Sequence, residues 1–203
     1  SPPTIPRRRS PRGPGVFGPE AMPLLFTLNA EQKQRYLLPV IRGEKRTSFA
    51  QTEPDAGADP GMMRTTAVLK GDHYLINGMK RFITHADKAD FFQLVAATDR
   101  SKGPRGGLSM FLVDDNTPGV QVLRGFEKVS GDVSYQIAFD DVKVPVENLI
   151  GKEGEGMRNA QTWITTGRLR QAAGGLGTAQ RCLELATAYA KQRVTFGAPL
   201  SDR

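Results

Sequence analysis

The chain has 203 residues, 38% of them hydrophobic, with one cysteine, two histidines and a formal charge of +7. The lone Cys182 excludes a disulfide framework or a cysteine-built metal cluster, and His73 and His85 form no HxxxH spacing; a reducing compartment fits and no metal is expected. No apolar run approaches the ~20 residues that span a bilayer, so no membrane span is expected.

The basic charge invites a nucleic-acid reading, but its placement argues against one. Residues 1–16, SPPTIPRRRSPRGPGV, hold Arg7, Arg8, Arg9 and Arg12, five prolines and no acid, which is more than half of the net charge. Proline at that density opposes helix and sheet, so a disordered tail is expected, a solvated or extraneous end rather than a phosphate-binding arm. The tail lacks the apolar stretch of a secretory signal. It is Arg-rich like an organellar transit peptide, yet too rich in proline for the amphipathic helix such a peptide needs.

Residues 29–42, NAEQKQRYLLPVIR, read as a helix. Asn29 can cap it, Gln32 sits at the capping-box position, and Tyr36, Leu37, Val40 and Ile41 recur at helical spacing. Pro39 predicts a kink or early end, and Gly43 a stop. From 47 to about 148 the pattern changes to short strands and turns. β-like runs cover 64–70, 73–84, 90–98, 108–113, 119–123 and 133–144, and the first strand is expected to end at Thr52. Asn77-Gly78 is the strongest hairpin signal in the chain. Such spacing predicts an all-β barrel or sandwich, and without βαβ alternation it is not a Rossmann domain. After GKEGEG, 151–156, a helix is predicted to about Gln192. Leu169, Ala172, Ala173, Leu176, Ala179, Leu183, Ala186 and Ala190 mark one narrow face of it. A helix about 50 Å long cannot bury itself in so small a chain, and its Ala/Gly seam would let a second helix approach. The chain therefore reads as a fragment.

The stretch FAQTEPDAGADPG, 49–61, is too polar for a core strand and too short for a helix. Thr52 offers a hydroxyl at a strand end, Gly57 permits positive φ beside open main-chain amides, and Thr84 ends another strand across the barrel, two residues after Phe82. Two hydroxyls, exposed amides and an aromatic platform suit a planar, hydrogen-bonding heterocycle; both threonines read equally as ordinary β-branched strand residues. Arg193, Thr195 and Phe196 follow the long helix. An arginine fork suits phosphate, and by itself it also reads as a surface residue. Gly174, Gly175 and Gly177 do not form a GxGxxG after a strand, so no dinucleotide fingerprint is present.

The segments FAQTEPDAGAD, YLINGMKRFIT, FLVDDNTPGV, FDDVKVPVENLIGKEGEGM and GRLRQAAGGLGTAQRCLELATAYAKQRVTFGAPL are colinear. Together they resemble acyl-CoA dehydrogenases over roughly residues 20–203. The resemblance implies an α+β fold, a middle β-barrel domain flanked by helices of an incomplete acyl-CoA dehydrogenase-like fold. Its parts are a tail at 1–16, the last helical part of an N-terminal α-domain at 17–46, the middle barrel at 47–150, and the first long helix of a C-terminal α-domain at 151–203. It implies FAD bound by Phe49, Gln51, Thr52, Gly57, Ala58, Phe82, Ile83 and Thr84, with Arg193, Thr195 and Phe196 reaching the FAD of a neighbouring subunit. Phe82 takes the place of the family's usual tryptophan. Ala58, where relatives often carry serine, and Arg168 are implied at the acyl-CoA.

The implied reaction is α,β-dehydrogenation of an acyl-CoA thioester, electrons passing to an electron-transfer flavoprotein, in a homodimer or homotetramer. Such proteins are cytoplasmic in bacteria and usually mitochondrial in eukaryotes. No catalytic base is assigned. The usual glutamate is expected beyond residue 203, and the alternative position, just before Arg168, holds Gly167. Glu53 is a tempting carboxylate whose family role is structural, and Thr165 stands where several relatives carry an acid toward CoA. Two other readings share the scaffold: an acyl-CoA oxidase-like flavoenzyme, and a non-catalytic, DNA-associated flavoprotein or interaction module.

Overall fold

The computed structural model describes residues 21–129 and 131–203; the tail expected over 1–16 lies outside them. Asn29 caps a helix over 30–41 (α1). Its side chain accepts from the Gln32 amide at 2.8 Å, and the Gln32 side chain accepts from the Asn29 amide at 3.3 Å. Pro39 has no N–H to return to Arg35, and its ring crowds that carbonyl. The helix widens into a π-turn over Lys33–Leu37 just before it, with the Leu38 amide bonding Lys33 O, and the Lys45 ammonium lies 3.4 Å from the Arg35 carbonyl. Gly43, at φ 71°, ends the helix.

Seven strands follow: β1 Thr47–Ala50, β2 Thr66–Lys70, β3 His73–Thr84, β4 Phe91–Ala97, β5 Leu108–Asp114, β6 Val120–Glu127 and β7 Val133–Pro145. They form one mixed sheet in the order β1-β4-β2-β3-β7-β6, with β5 on the other edge of β4, curled into a half-barrel. The inner face holds Ile76, Ile83, Phe92, Leu94, Phe111, Ile137 and Phe139. β4 is buried throughout because its outer face is covered too. Phe91 meets the Tyr36 ring of α1 at 4.8 Å, Asn148 donates to Tyr36 Oη and Leu112 O, and Gln32 donates to the carbonyls of Glu147 and Leu149.

β1 and β2 both run parallel to β4 and lie end to end along the same edge of it, Thr47–Ala50 opposite Phe91–Leu94 and Thr66 opposite Ala97. They occupy one strand position interrupted by the excursion 51–65. β3 runs antiparallel along the far side of that line. It pairs with β2 from His73 to Asn77, then passes Thr65, donates from the Arg81 amide to Thr52 O at 2.8 Å, and reaches Ser48, whose hydroxyl donates to Thr84 O at 2.8 Å. The half-barrel is therefore a sheet with a deliberate break, not a plain series of hairpins.

Asn77-Gly78 is not a turn. The β2–β3 reversal falls at Gly71-Asp72, and Gly78 sits inside β3 at φ 151°, where a register shift marks a bulge. A Cβ there would stand 2.5 Å from Thr65 Cα. The glycine serves close strand approach rather than chain reversal.

Trp163–Arg203 forms a second unit. The helix α2, Gly156–Gln192, begins in the first unit, where a Cβ on Gly156 would stand 2.6 Å from Ser109 C and Ala160 is fully buried. From Trp163 onward the expected apolar face is exposed at Leu169, Ala172, Ala173, Leu176, Ala179, Leu183 and Ala186 and half-buried at Ala190. The chain then turns through a small hairpin, β8 Val194–Thr195 and β9 Ala198–Pro199. Phe196 and Gly197, at φ 50° and 82°, are its two central residues, the pattern of a type I′ turn.

Candidate functional site

The break between β1 and β2 gathers the sequence-predicted residues of the first unit. β1 ends at Ala50, so Thr52 lies just past the strand rather than at its end: beyond Ala50 the chain leaves β4, and the Thr52 carbonyl turns to β3. Thr52 and Thr84 are also neighbours on adjoining segments rather than across the barrel, since Arg81 and Thr84 of β3 bond to Thr52 and Ser48. Among the described residues neither threonine hydroxyl bonds to another group of the chain. Phe49 is half-buried at the end of β1, and Gln51 is half-buried at the start of the excursion.

Side chains 74, 76 and 80 of β3 point inward, so strict alternation would send Phe82 inward as well. A second register shift, between Lys80 and Ile83, and an αL conformation at Phe82, φ 60°, reverse the phase. Phe82 is turned outward, 51% exposed, and Ile83 enters the core. The Ile83 side chain is thus committed to packing, and only its main chain remains for a ligand. A non-glycine residue in αL costs of order 1–2 kcal/mol and is kept where the surroundings over-determine it. Here the Phe82 ring meets Phe126 edge-on at 5.0 Å, and the Arg81 guanidinium lies over both rings at 4.7 and 4.9 Å. Arg124 lies 5.0 Å from the Phe126 ring.

Below the break sits an ion pair that sequence reasoning did not find. Lys80, fully buried, donates to Glu53 Oε1 at 2.7 Å and to Gln51 O at 3.0 Å. The Glu53 carboxylate also accepts from the Arg64 and Thr65 amides, at 2.6 and 3.0 Å. Burial pushes Lys80 down to about 8, against the pull of Glu53. Burial alone would raise Glu53; the Lys80 charge and the hydrogen bonds from Lys80, Thr65 and Arg64 outweigh it and hold the carboxyl below its ordinary 4.5. The only signal in the sequence was phase: Lys80 falls on the inward positions of β3, and an inward lysine needs an acid.

Gly57 and Ala58 are exposed in the excursion. Gly57 does not use the positive φ its type permits, and a Cβ there would meet nothing within 4 Å. In the second unit, Arg168 is exposed on α2. Arg193 follows α2, its amide donating to Tyr189 O and its carbonyl accepting from the Leu200 amide. Phe196 is 95% exposed at the hairpin tip, and the Arg203 guanidinium donates to the carbonyls of Thr195 and Phe196.

The rim of the break fits a flat heterocycle with donors and acceptors along one edge. Among the described residues four buried side-chain polar atoms have no partner, and three of them belong here: Gln51 Oε1, Thr65 Oγ1 and Arg81 Nε. These three atoms are buried; the groups the rim presents outward are the hydroxyl-bearing Thr52 and Thr84 and the Phe82 ring, a set suited to a planar hydrogen-bonding ligand. Among the described residues no cluster of His, Cys, Asp and Glu could hold a metal ion, and no helix is long and apolar enough to cross a membrane.

Residues 48–142 match the family model described as acyl-CoA dehydrogenase, middle domain, and 154–203 that of the acyl-CoA dehydrogenase C-terminal domain. The chain is 44% identical over 182 residues to the caffeyl-CoA reductase-Etf complex subunit CarC of Acetobacterium woodii, covering 89% of this chain and 48% of that protein. The butyryl-CoA dehydrogenase structure from Megasphaera elsdenii superposes with a TM-score of 0.81 at 38% identity, covering 89% of this chain and 49% of that one. The prolyl acyl carrier protein oxidase AnaB superposes with a TM-score of 0.83 at 32% identity, over 89% and 48%. The chain spans about half the length of the curated relatives it matches.

Proposed function

The chain belongs to the acyl-CoA dehydrogenase family, and we propose from that premise that the protein carrying it is an FAD-dependent enzyme of acyl thioesters, removing hydrogen across the α,β bond of an acyl-CoA and passing electrons to an electron-transfer flavoprotein. The observation that carries the proposal is the broken strand, which brings the free hydroxyls of Thr52 and Thr84 and the outward ring of Phe82 to one rim.

When bound, FAD supplies the two-electron acceptor for the hydride leaving the β-carbon. Every other part is the protein's. Thr52, with the main chain of Gln51, and Thr84 would hold the polar edge of the ring. Phe82 and the half-buried Phe49 would fix its plane and exclude water from it. Gly57 and Ala58, on the excursion, lie with its exposed amides, where the pyrophosphate and CoA would be met. Arg193, Thr195 and Phe196 are assigned to the FAD of a second copy, and Arg168 to the acyl-CoA.

We assign no residue of 21–203 as the base that removes the α-proton. Glu53, the carboxylate beside the break, already accepts from Lys80, Arg64 and Thr65 and is held ionised below its ordinary range. A buried carboxylate bound by three donors and held below its ordinary range lacks the pKa near the working pH that a base needs.

The test is direct. The full-length protein, reconstituted with FAD, should be yellow and should bleach anaerobically on addition of an acyl-CoA; a protein that stays colourless, or a flavin that no acyl-CoA bleaches, overturns the proposal. A second reading, an oxidase of acyl thioesters, is favoured by the likeness to AnaB. Oxygen uptake without an added electron acceptor would select it.

A further inference from the structure

The excursion 51–65 has no secondary structure at its start, carries a short 3-10 turn at Pro60–Met62, and exposes Pro54, Asp55, Gly57, Ala58 and Asp59. Left to itself such a segment would be one of many conformers, and fixing each residue costs roughly 1–2 kcal/mol of backbone entropy. Something must hold its two ends at a constant separation, because the ends flank the rim. The Glu53 and Ala56 main chains pair with each other, Met63 donates to Pro60 O and Asp59 accepts from the Gly61 amide, while Arg81 and Ala97 hold the Thr52 and Thr65 carbonyls and Arg100 holds that of Arg64. Two ties join the ends themselves: the exposed Arg64–Asp55 ion pair and the buried Glu53 carboxylate, which accepts from the Arg64 and Thr65 amides and from Lys80.

We propose that Lys80 is a positioning residue of this loop: its buried ammonium holds the outgoing end at Gln51 O and Glu53, and so fixes the Glu53 carboxylate, which itself spans to the Arg64 and Thr65 amides of the returning end. The inference rests on the flavin reading for its functional consequence, though not for its geometry. Lys80 Nζ bonds the carbonyl of the residue just before Thr52, and the Arg81 amide bonds that of Thr52 itself. One lysine thus fixes the main-chain edge to which the ring would bind, without touching the ring. Glu53 is the second half of the device: its carboxylate accepts from Lys80 of β3 and from the Arg64 and Thr65 amides at the returning end. Charge is essential to it, since a neutral residue at 80 would leave a buried carboxylate uncompensated.

The experiment compares full-length wild type, Lys80→Met, Glu53→Gln and the Lys80→Met/Glu53→Gln pair. The first readout is amide hydrogen exchange in protein stripped of flavin. Lys80→Met should speed exchange at the Arg64 and Thr65 amides by about tenfold or more while amides of β4 and β5 keep their protection. The double variant, which removes the stranded charge, should recover part of that protection. The second readout is FAD binding. Its dissociation constant should rise about tenfold or more in Lys80→Met, and the bound flavin's visible band should lose the fine structure of an immobilised ring.

If Lys80→Met does not fold, Glu53→Gln carries the test, because one of the two oxygens that hold the Arg64 and Thr65 amides becomes an NH2 that cannot accept, so exchange at 64 or 65 should still rise. Unchanged exchange at 64 and 65 together with an FAD affinity within twofold of wild type overturns the inference. A wild type that binds no FAD, with the exchange pattern still as expected, overturns the flavin reading and leaves the clamp standing.

Discussion

Replacing Gly78 by alanine is the sharpest challenge to the broken-strand architecture. The added Cβ would stand 2.5 Å from both Thr65 Cα and Thr65 Oγ1 and 2.7 Å from Thr65 Cβ. Thr65 cannot step aside: its carbonyl accepts from Ala97 and its amide donates to Glu53. Overpacking against a fixed backbone costs about 1–3 kcal/mol, and φ 151° is a glycine conformation whose use by alanine adds about 1–3 more. The sum, about 4 kcal/mol, is a large share of the 5–15 kcal/mol by which domains are stable. At about 2–4 °C per kcal/mol for a unit of this size, the melting temperature should fall by about 10 °C. Gly57→Ala is the control. That glycine has ordinary φ and open space at its Cβ position, so the change should be neutral or stabilise by up to about 1 kcal/mol. Calorimetry of the full-length variants decides it. A Gly78→Ala protein melting within about 2 °C of wild type, or a Gly57→Ala protein damaged as much, refutes the close approach of β3 to the end of the excursion.

Acid should loosen the same region. Glu53 is held below its ordinary 4.5 in the folded chain, so its contribution is complete above that value and is lost as pH falls through the depressed folded value; Glu53→Gln should flatten the acid limb of a melting-temperature profile, and an unaltered limb would contradict the assignment. Phe82→Ala should cost about 0.5–1.5 kcal/mol through the lost edge-on contact with Phe126, with a larger effect on quenching of bound-flavin fluorescence. Phe82→Gly should recover part of the stability by relieving φ 60° and none of the quenching; equal quenching in both variants and wild type would detach Phe82 from the site.

What could be read from the sequence was local. Asn29 and Gln32 announce their capping box because both partners lie within one turn, and the range 73–84 is a strand in sequence and structure alike because alternation needs no distant partner. Pro39 promised a distortion, and a π-turn supplies it. Non-local geometry was not legible. Asn77-Gly78 has the composition of a turn, but the same lack of a Cβ answers a different demand, the passage of a strand over Thr65. Nothing in residues 47–70 says that β1 and β2 share one edge of β4, since that pairing is decided by β4, more than twenty positions onward. Resemblance brought Thr52, Phe82 and Thr84 together as names. The bulge that turns Phe82 outward and Ile83 inward was invisible, because it breaks the alternation from which direction is read.

The break itself explains why a polar rim forms here rather than at another turn. Along an uninterrupted strand every main-chain donor and acceptor is consumed by its ladder. Where β1 stops and β2 has not begun, β3 and β4 face a gap, and the excursion must supply or withhold the missing partners. It supplies them at Thr52 O, for the Arg81 amide, and at Thr65 O, for Ala97, and so keeps the sheet closed at both margins. Around the gap Gln51 Oε1, Thr65 Oγ1 and Arg81 Nε are buried without a partner, each at a cost of about 1–3 kcal/mol. A lysine–glutamate pair in the core beneath is the compact means of holding such a gap open. An apolar pair of similar volume would pack as well, but could not hold the Gln51 carbonyl and the Arg64 and Thr65 amides at once. Charge at 53 and 80 therefore follows from the gap, which leaves a polar edge that no continuous strand could offer.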